Sequence, residues 1–122
     1  MTVAQRNSAP VVEKMYQFVL WLVPTVEKFP RSQKFLLGDR IETAALDVLN
    51  YLVDAAYSGA GQRTAILNAA NRDLEKLRFM FRLAFDLRHI DIRRYEFAAK
   101  AIDEIGRMVG GWRKASHGSA AH

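Results

Sequence analysis

The chain has 122 residues, half of them hydrophobic, which is enough for one domain around one core. It contains no cysteine, which excludes a disulfide framework and a thiolate zinc site and fits a cytoplasmic protein. The longest apolar run, residues 18–23, falls far short of the roughly 18 residues that span a bilayer, and the N-terminus lacks the apolar stretch of a signal peptide. The formal charge of +5 is unevenly placed: residues 1–60 hold six Lys/Arg and six Asp/Glu, whereas residues 61–122 hold twelve against seven. A basic surface in the second half, compatible with nucleic acid, is therefore expected.

Residues 1–10 are polar and end in Ser8-Ala9-Pro10, and residues 115–122 are small residues, serines and histidines. Both ends read as disordered segments flanking a domain over residues 11–114. Within that domain, helical spacing appears four times, punctuated at Phe29-Pro30-Arg31-Ser32, Ser58-Gly59-Ala60-Gly61 and His89-Ile90-Asp91. Four helices with short connections predict an all-α bundle with antiparallel neighbours.

The first helix is expected over residues 11–28, with Val11, Met15, Phe18, Leu22, Thr25 and Phe29 on one stripe and a kink or a new first turn at Pro24. Ser32 is the expected N-cap of the second helix, whose stripe is Gly38, Ile41, Ala45, Val48, Leu52 and Ala55. Its small residues allow close approach of two backbones.

The third helix is expected to start near Gln62 or Thr64 and to bury Leu67, Ala70, Leu74, Leu77, Phe81 and Ala84. Between residues 77 and 87 only Arg78, Arg82 and Asp86 are polar, so the helix is apolar nearly all round. One seam cannot cover Phe79, Leu83 and Phe85 as well, and these three are the predicted oligomer interface. Arg78 and Arg82 stand four apart and repel unless Glu75, Asp86 or an anionic partner offsets them.

Asp91 is the expected cap of the fourth helix, with Tyr95, Ala98, Ile102, Ile105, Val109 and Trp112 buried. Arg93, Lys100, Arg107 and Lys114 recur every seven residues and form a basic ridge. Glu96 and Glu104 stand within ion-pair spacing of Lys100, and Asp103 of Arg107.

Catalytic constellations are weak. None of His89, His117 and His122 has a neighbouring nucleophile, Asp86 with His89 makes at most half a metal site, and no Glu-x-x-His occurs for a di-iron bundle. Gly59-Ala60-Gly61 lacks the Lys-Ser/Thr of a phosphate loop. No enzyme, metal or cofactor is expected.

Three blocks carry a family resemblance: residues 29–41 (Phe-Pro-Arg-Ser-Gln-Lys-Phe-Leu-Leu-Gly-Asp-Arg-Ile), residues 74–79 (Leu-Glu-Lys-Leu-Arg-Phe) and residues 103–112 (Asp-Glu-Ile-Gly-Arg-Met-Val-Gly-Gly-Trp). In this order they resemble the Avd proteins, the accessory variability determinants of diversity-generating retroelements, and Avd-like four-helix bundle proteins. The resemblance implies an up-down-up-down bundle, a ring-shaped homopentamer with a basic surface, and two partners: the retroelement reverse transcriptase and its template RNA or an RNA/DNA hybrid. It implies a role in mutagenic reverse transcription and retrohoming. Arg78 and Arg82 match the Leu-Arg-Phe-x-x-Arg pattern of the family, and Arg107 its Gly-Arg-x-x-Gly stretch. Arg78, Arg82, Arg93, Lys100, Arg107 and Lys114 are thus the expected nucleic-acid contacts. The competing expectation is an Avd-like structural oligomer that binds protein and no nucleic acid.

Overall fold

The computed structural model describes the backbone of residues 3–120 and the side chains of residues 10–116. Among these, four long helices account for most of the chain: α1 (Val3–Glu27), α2 (Asp39–Ala56), α3 (Ala60–Asp86) and α4 (Ile92–Ala120). Each helix packs against the next, and α4 returns to α1, with the most extensive contacts on the two sides of α3. The helical bundle closes around one core.

The 3.6-residue period decides what enters that core. On α2, Ile41, Ala45, Val48, Leu52 and Ala55 are buried; on α3, Leu67, Ala70, Leu74, Leu77, Phe81 and Ala84. The stripe of α1 is buried through Thr25 and on to Phe29, and Val26 joins it. On α4 the stripe is buried from Ala98 to Trp112, while Tyr95 is half-buried. An aromatic cluster ties three helices together: Phe81 of α3 sits 6.1 Å from Phe18 and 6.2 Å from Trp21 of α1, and Trp21 lies 4.6 Å from Phe97 of α4.

Several local expectations are corrected. The helix of α1 starts at Val3 and that of α4 reaches Ala120, beyond the expected bounds at residues 11 and 114. Residues 1–2 and 121–122, with His122 among them, lie outside the described residues. At the C-terminal end the reason is visible: Ser116, one turn beyond Trp112, is itself buried and prolongs a stripe that its polar side chain disguises. At the N-terminal end the backbone helix runs back through Pro10 to Val3, although a proline inside a helix removes one backbone hydrogen bond.

Pro24 does not start a new turn, because α1 runs through it to Glu27. Packing of Leu22 and Val26 on either side holds the helix, and the Thr25 hydroxyl donates to the Trp21 carbonyl at 2.8 Å. Ser32 is not an N-cap. Pro30, with φ −53° and ψ 141°, takes that position for a single turn, Arg31–Gln33, and its carbonyl accepts from the N–H groups of Gln33 and Lys34 at 2.8 and 2.9 Å. A wide π-type turn, Lys34–Gly38, then leads into α2. The third helix starts at Ala60, earlier than its side chains suggest, with Gly59 as its cap residue. Asp91 caps α4 as expected, its carboxylate accepting from the Arg94 N–H at 2.9 Å.

Gly38 marks the closest approach of the wide turn to α1. A Cβ built there stands 2.7 Å from Cγ1 of Val26, a buried side chain whose β-branch leaves it little room to turn. Gly38→Ala is expected to cost about 1–3 kcal/mol in chemical denaturation. Combining it with Val26→Ala should cost less than the sum of the two single changes. An unchanged denaturation midpoint for Gly38→Ala would contradict this packing.

Arg63 holds the turn between α2 and α3. Its side chain is buried, Nε donates to the Ala55 carbonyl at 2.9 Å, and Nη2 donates to the Ser58 carbonyl at 2.5 Å. The guanidinium also lies 5.9 Å from the Trp112 ring centroid. A cation is favourable at the C-terminus of α2, where carbonyls lack intrahelical partners.

Candidate nucleic-acid interface

The twelve basic residues of the second half lie mainly on α3 and α4, two neighbouring helices. Their environments differ sharply. Arg78 sits at the α3–α4 seam, where Nη1 donates to the Asp103 carboxylate of α4 and Nε donates to Glu75 at 3.2 Å. The Asp103 hydrogen bond, opposed by desolvation and reinforced by the charges of Asp103 and Glu75, raises its pKa. This arginine is enclosed by two carboxylates. Arg82 is exposed, with Asp86 only loosely placed at 3.9 Å.

On α4 the expected offsets are not formed. Glu104 pairs with Lys14 of α1 at 2.5 Å, and the Asp103 carboxylate is taken by Arg78, so Arg107 reaches only the Asp103 carbonyl, at 3.5 Å. Within the described residues no carboxylate lies within 4.0 Å of Arg93, Lys100, Arg107 or Lys114. Partners on neighbouring helices have outcompeted the i,i+4 partners that sequence spacing offers. The ridge side chains are therefore free of ion pairs among the described residues, with Glu104 offsetting Lys100 and Arg107 only at longer range, and Arg78 is not.

The Lys14–Glu104 bridge has a testable pH signature. The Lys14 hydrogen bond, then its charge, with smaller help from Lys100 and Arg107, holds the Glu104 carboxyl below its ordinary value of 4.5. A depressed folded pKa contributes stability that is complete above the unfolded value and is lost as pH falls through the folded one. Lys14→Met should therefore narrow the stability gap between pH 7 and pH 3 relative to the unmodified protein. Equal acid sensitivity of the two proteins would contradict the bridge.

Sequence spacing also leaves a polar groove between α3 and α4 unnoticed. Two adjoining pockets of about 340 and 440 Å³ share Asn68 and Arg113; one adds Thr64 and Lys114, and the other adds Asn71, Arg72, Glu75 and Lys76. Arg113 donates to the Asn68 side chain at 2.9 Å. The available signal was the juxtaposition of Arg72 and Lys76, four apart on α3, with Arg113-Lys114 near the end of α4, but only a known helix pairing brings them together. The groove is continuous in character with the ridge through Lys114.

The three residues predicted as interface separate. Phe79 is 62% exposed and Leu83 47% exposed, whereas Phe85 is half-buried and stacks on Tyr95 of the same chain with centroids 4.8 Å apart and planes at 11°. Phe79 and Met80 line a groove of about 690 Å³ between α2 and α3, rimmed by Asp39, Asp47, Asp73 and Lys76. Tyr16, Leu20 and Val23 form a second exposed apolar stripe, on α1.

Among the described residues no three His, Asp or Glu side chains gather as a metal site, and no helix is long and apolar enough to cross a membrane. Asp86 and His89 do not make one. Asp86 faces Arg82, while the His89 ring lies 5.7 Å from Phe29.

The molecule is thus a basic helical bundle whose exposed positive charge lies mainly on α3 and α4 and whose exposed apolar stripes lie on α1 and α3. The chain belongs to the bAvd-like family, whose model matches residues 10–116. That span takes in the packed stripe of every helix. No curated protein matches the chain.

Proposed function

We propose that this chain is the accessory protein of a diversity-generating retroelement, binding its reverse transcriptase and template RNA in the cytoplasm during mutagenic reverse transcription and retrohoming, with no catalysis of its own. The observation that carries the nucleic-acid part is the ridge of Arg93, Lys100, Arg107 and Lys114, free of ion pairs among the described residues and adjoined by the Arg72 and Arg113 groove. Family membership supports the retroelement setting.

The exposed apolar stripes support assembly. Helices α1 and α3 stand diagonally across the bundle, since each packs mainly on α2 and α4. Two unlike apolar stripes on opposite corners suit head-to-tail contacts, which close into a ring when the rotation permits. An antiparallel up-down-up-down bundle repeated around such a ring, as a homopentamer, aligns one basic ridge per subunit. Light scattering coupled to size exclusion should give a mass near five chains, and Phe79→Glu should lower it. A monodisperse monomer at micromolar concentration would contradict the assembly.

Co-purification with a reverse transcriptase encoded beside this gene, near an almost repeated template region, tests the retroelement role. Failure to bind it would leave the second reading, a structural oligomer without nucleic acid. The observation favouring that reading is Arg78, which the resemblance singles out and which Glu75 and Asp103 already neutralise.

A further inference from the structure

The turn between α3 and α4 contains a residue that conformational preference disfavours. Helix α3 ends with the Arg88 N–H donating to the Phe85 carbonyl at 2.9 Å and the His89 N–H donating to the Ala84 carbonyl at 2.8 Å. This hydrogen-bond pair requires the intervening residue to be left-handed, a position where glycine is usual. Arg88 occupies it with φ 64°, the non-glycine residue of positive φ among those described. A side chain kept at a strained position invites a search for what it does there.

Arg88 lines a pocket of about 440 Å³ with Lys28, Arg94, His89, Asp91 and Thr25. Within the described residues Lys28 and Arg88 have no carboxylate within 4.0 Å, while Arg94 pairs with Asp91 at 2.6 Å. The Asp91 carboxylate also caps α4, so the positive character of the pocket comes from side chains and not from an open helix end. His89 Nε2 is buried without a hydrogen-bond partner. Three cations face one carboxylate, and two of them present guanidinium forks suited to tetrahedral oxyanions. The volume greatly exceeds that of one oxyanion and leaves room for an attached sugar.

We propose that this pocket binds a phosphomonoester, the 5′-phosphate of a nucleotide or of a nucleic-acid end. The site shares no residue with the α4 ridge, whose first member, Arg93, is the chain neighbour of Arg94, and does not depend on RNA binding along Lys100, Arg107 and Lys114. Arg88 and Lys28 supply the charge that meets the phosphate, and the left-handed turn aims Arg88 at it.

Calorimetry in phosphate-free buffer with inorganic phosphate, adenosine 5′-monophosphate, and an oligonucleotide carrying either a 5′-phosphate or a 5′-hydroxyl tests the site. Arg88→Gly should weaken phosphate and nucleotide binding about tenfold or more, yet raise Tm by about 2–4 °C because glycine relieves the turn. Lys28→Gln should weaken binding without that gain, and charge reversal of the ridge should leave both small ligands bound. Preference for the 5′-phosphorylated oligonucleotide over the 5′-hydroxyl form, together with tighter binding than the mononucleotide, identifies a nucleic-acid end as the source; equal affinity for the phosphorylated oligonucleotide and the mononucleotide identifies free nucleotide. Absence of binding by the unmodified protein, or equal binding by Arg88→Gly, overturns the proposal.

Discussion

Replacing Lys100, Arg107 and Lys114 together with glutamate lowers affinity for structured RNA roughly a hundredfold or more at low salt, while helical content and oligomer mass stay unchanged. Each phosphate neutralised by a basic residue releases condensed counterion, worth about 0.7 in the slope of log affinity against log salt on a single strand and about 0.9 on a duplex. Reversal removes those contacts and adds repulsion, and a ring repeats the change in every subunit. Stability falls only slightly, because the three side chains form no ion pair with a described carboxylate and the new like-charge neighbours, Glu96, Asp103 and Glu104, cost about 0.2–0.5 kcal/mol per pair at helical spacing. Filter binding over a salt series, with circular dichroism and light scattering as controls, measures it. Undiminished binding by the triple variant would remove the ridge from the interface.

Arg78→Glu, the substitution that sequence pattern favours, makes a poorer probe. It would set a third carboxylate against Glu75 and Asp103 at the α3–α4 seam, confusing lost stability with lost binding.

Phe81→Ala should destabilise the fold by about 3–5 kcal/mol. The ring is buried at the meeting point of Phe18 and Trp21, two aromatic side chains held by α1, and a truncation there leaves a cavity that three packed helices cannot fill. Such a loss is a large fraction of the stability of an ordinary domain, about 5–15 kcal/mol. Phe79→Ala, two residues earlier and exposed, should change stability by about 0.5 kcal/mol or less and act on assembly instead. Denaturant titration of both variants separates core from surface, and similar losses in the two would contradict the placement of α3.

The core was legible in the sequence because a helix has a single period: the apolar stripes expected on α2 and α3 are buried. Features that break the equation of apolar with buried were not legible. Ser116 and Arg63 are polar and buried, Phe85 packs on Tyr95 of its own chain instead of standing open, and Pro30 displaced Ser32 as a cap because backbone geometry outweighed the side-chain preference. The site was half legible. Spacing placed Arg93, Lys100, Arg107 and Lys114 on one face, but intrahelical spacing cannot show that Lys14 claims Glu104 or that Arg78 claims Asp103. Those cross-helix competitions decide which basic residues stay open, and they moved the weight of the candidate interface from α3 to α4. Nothing periodic announced Arg88 either, since its meaning lies in one dihedral angle.

The central claim is that open positive charge on this bundle exists to hold RNA. The direct measurement is the affinity of the unmodified protein for a structured RNA across a salt series. Binding at low salt with a steep negative slope, equivalent to several phosphate contacts at about 0.7–0.9 each, and with little sequence selectivity is the predicted result. No binding at low salt, or binding indifferent to salt, would contradict it.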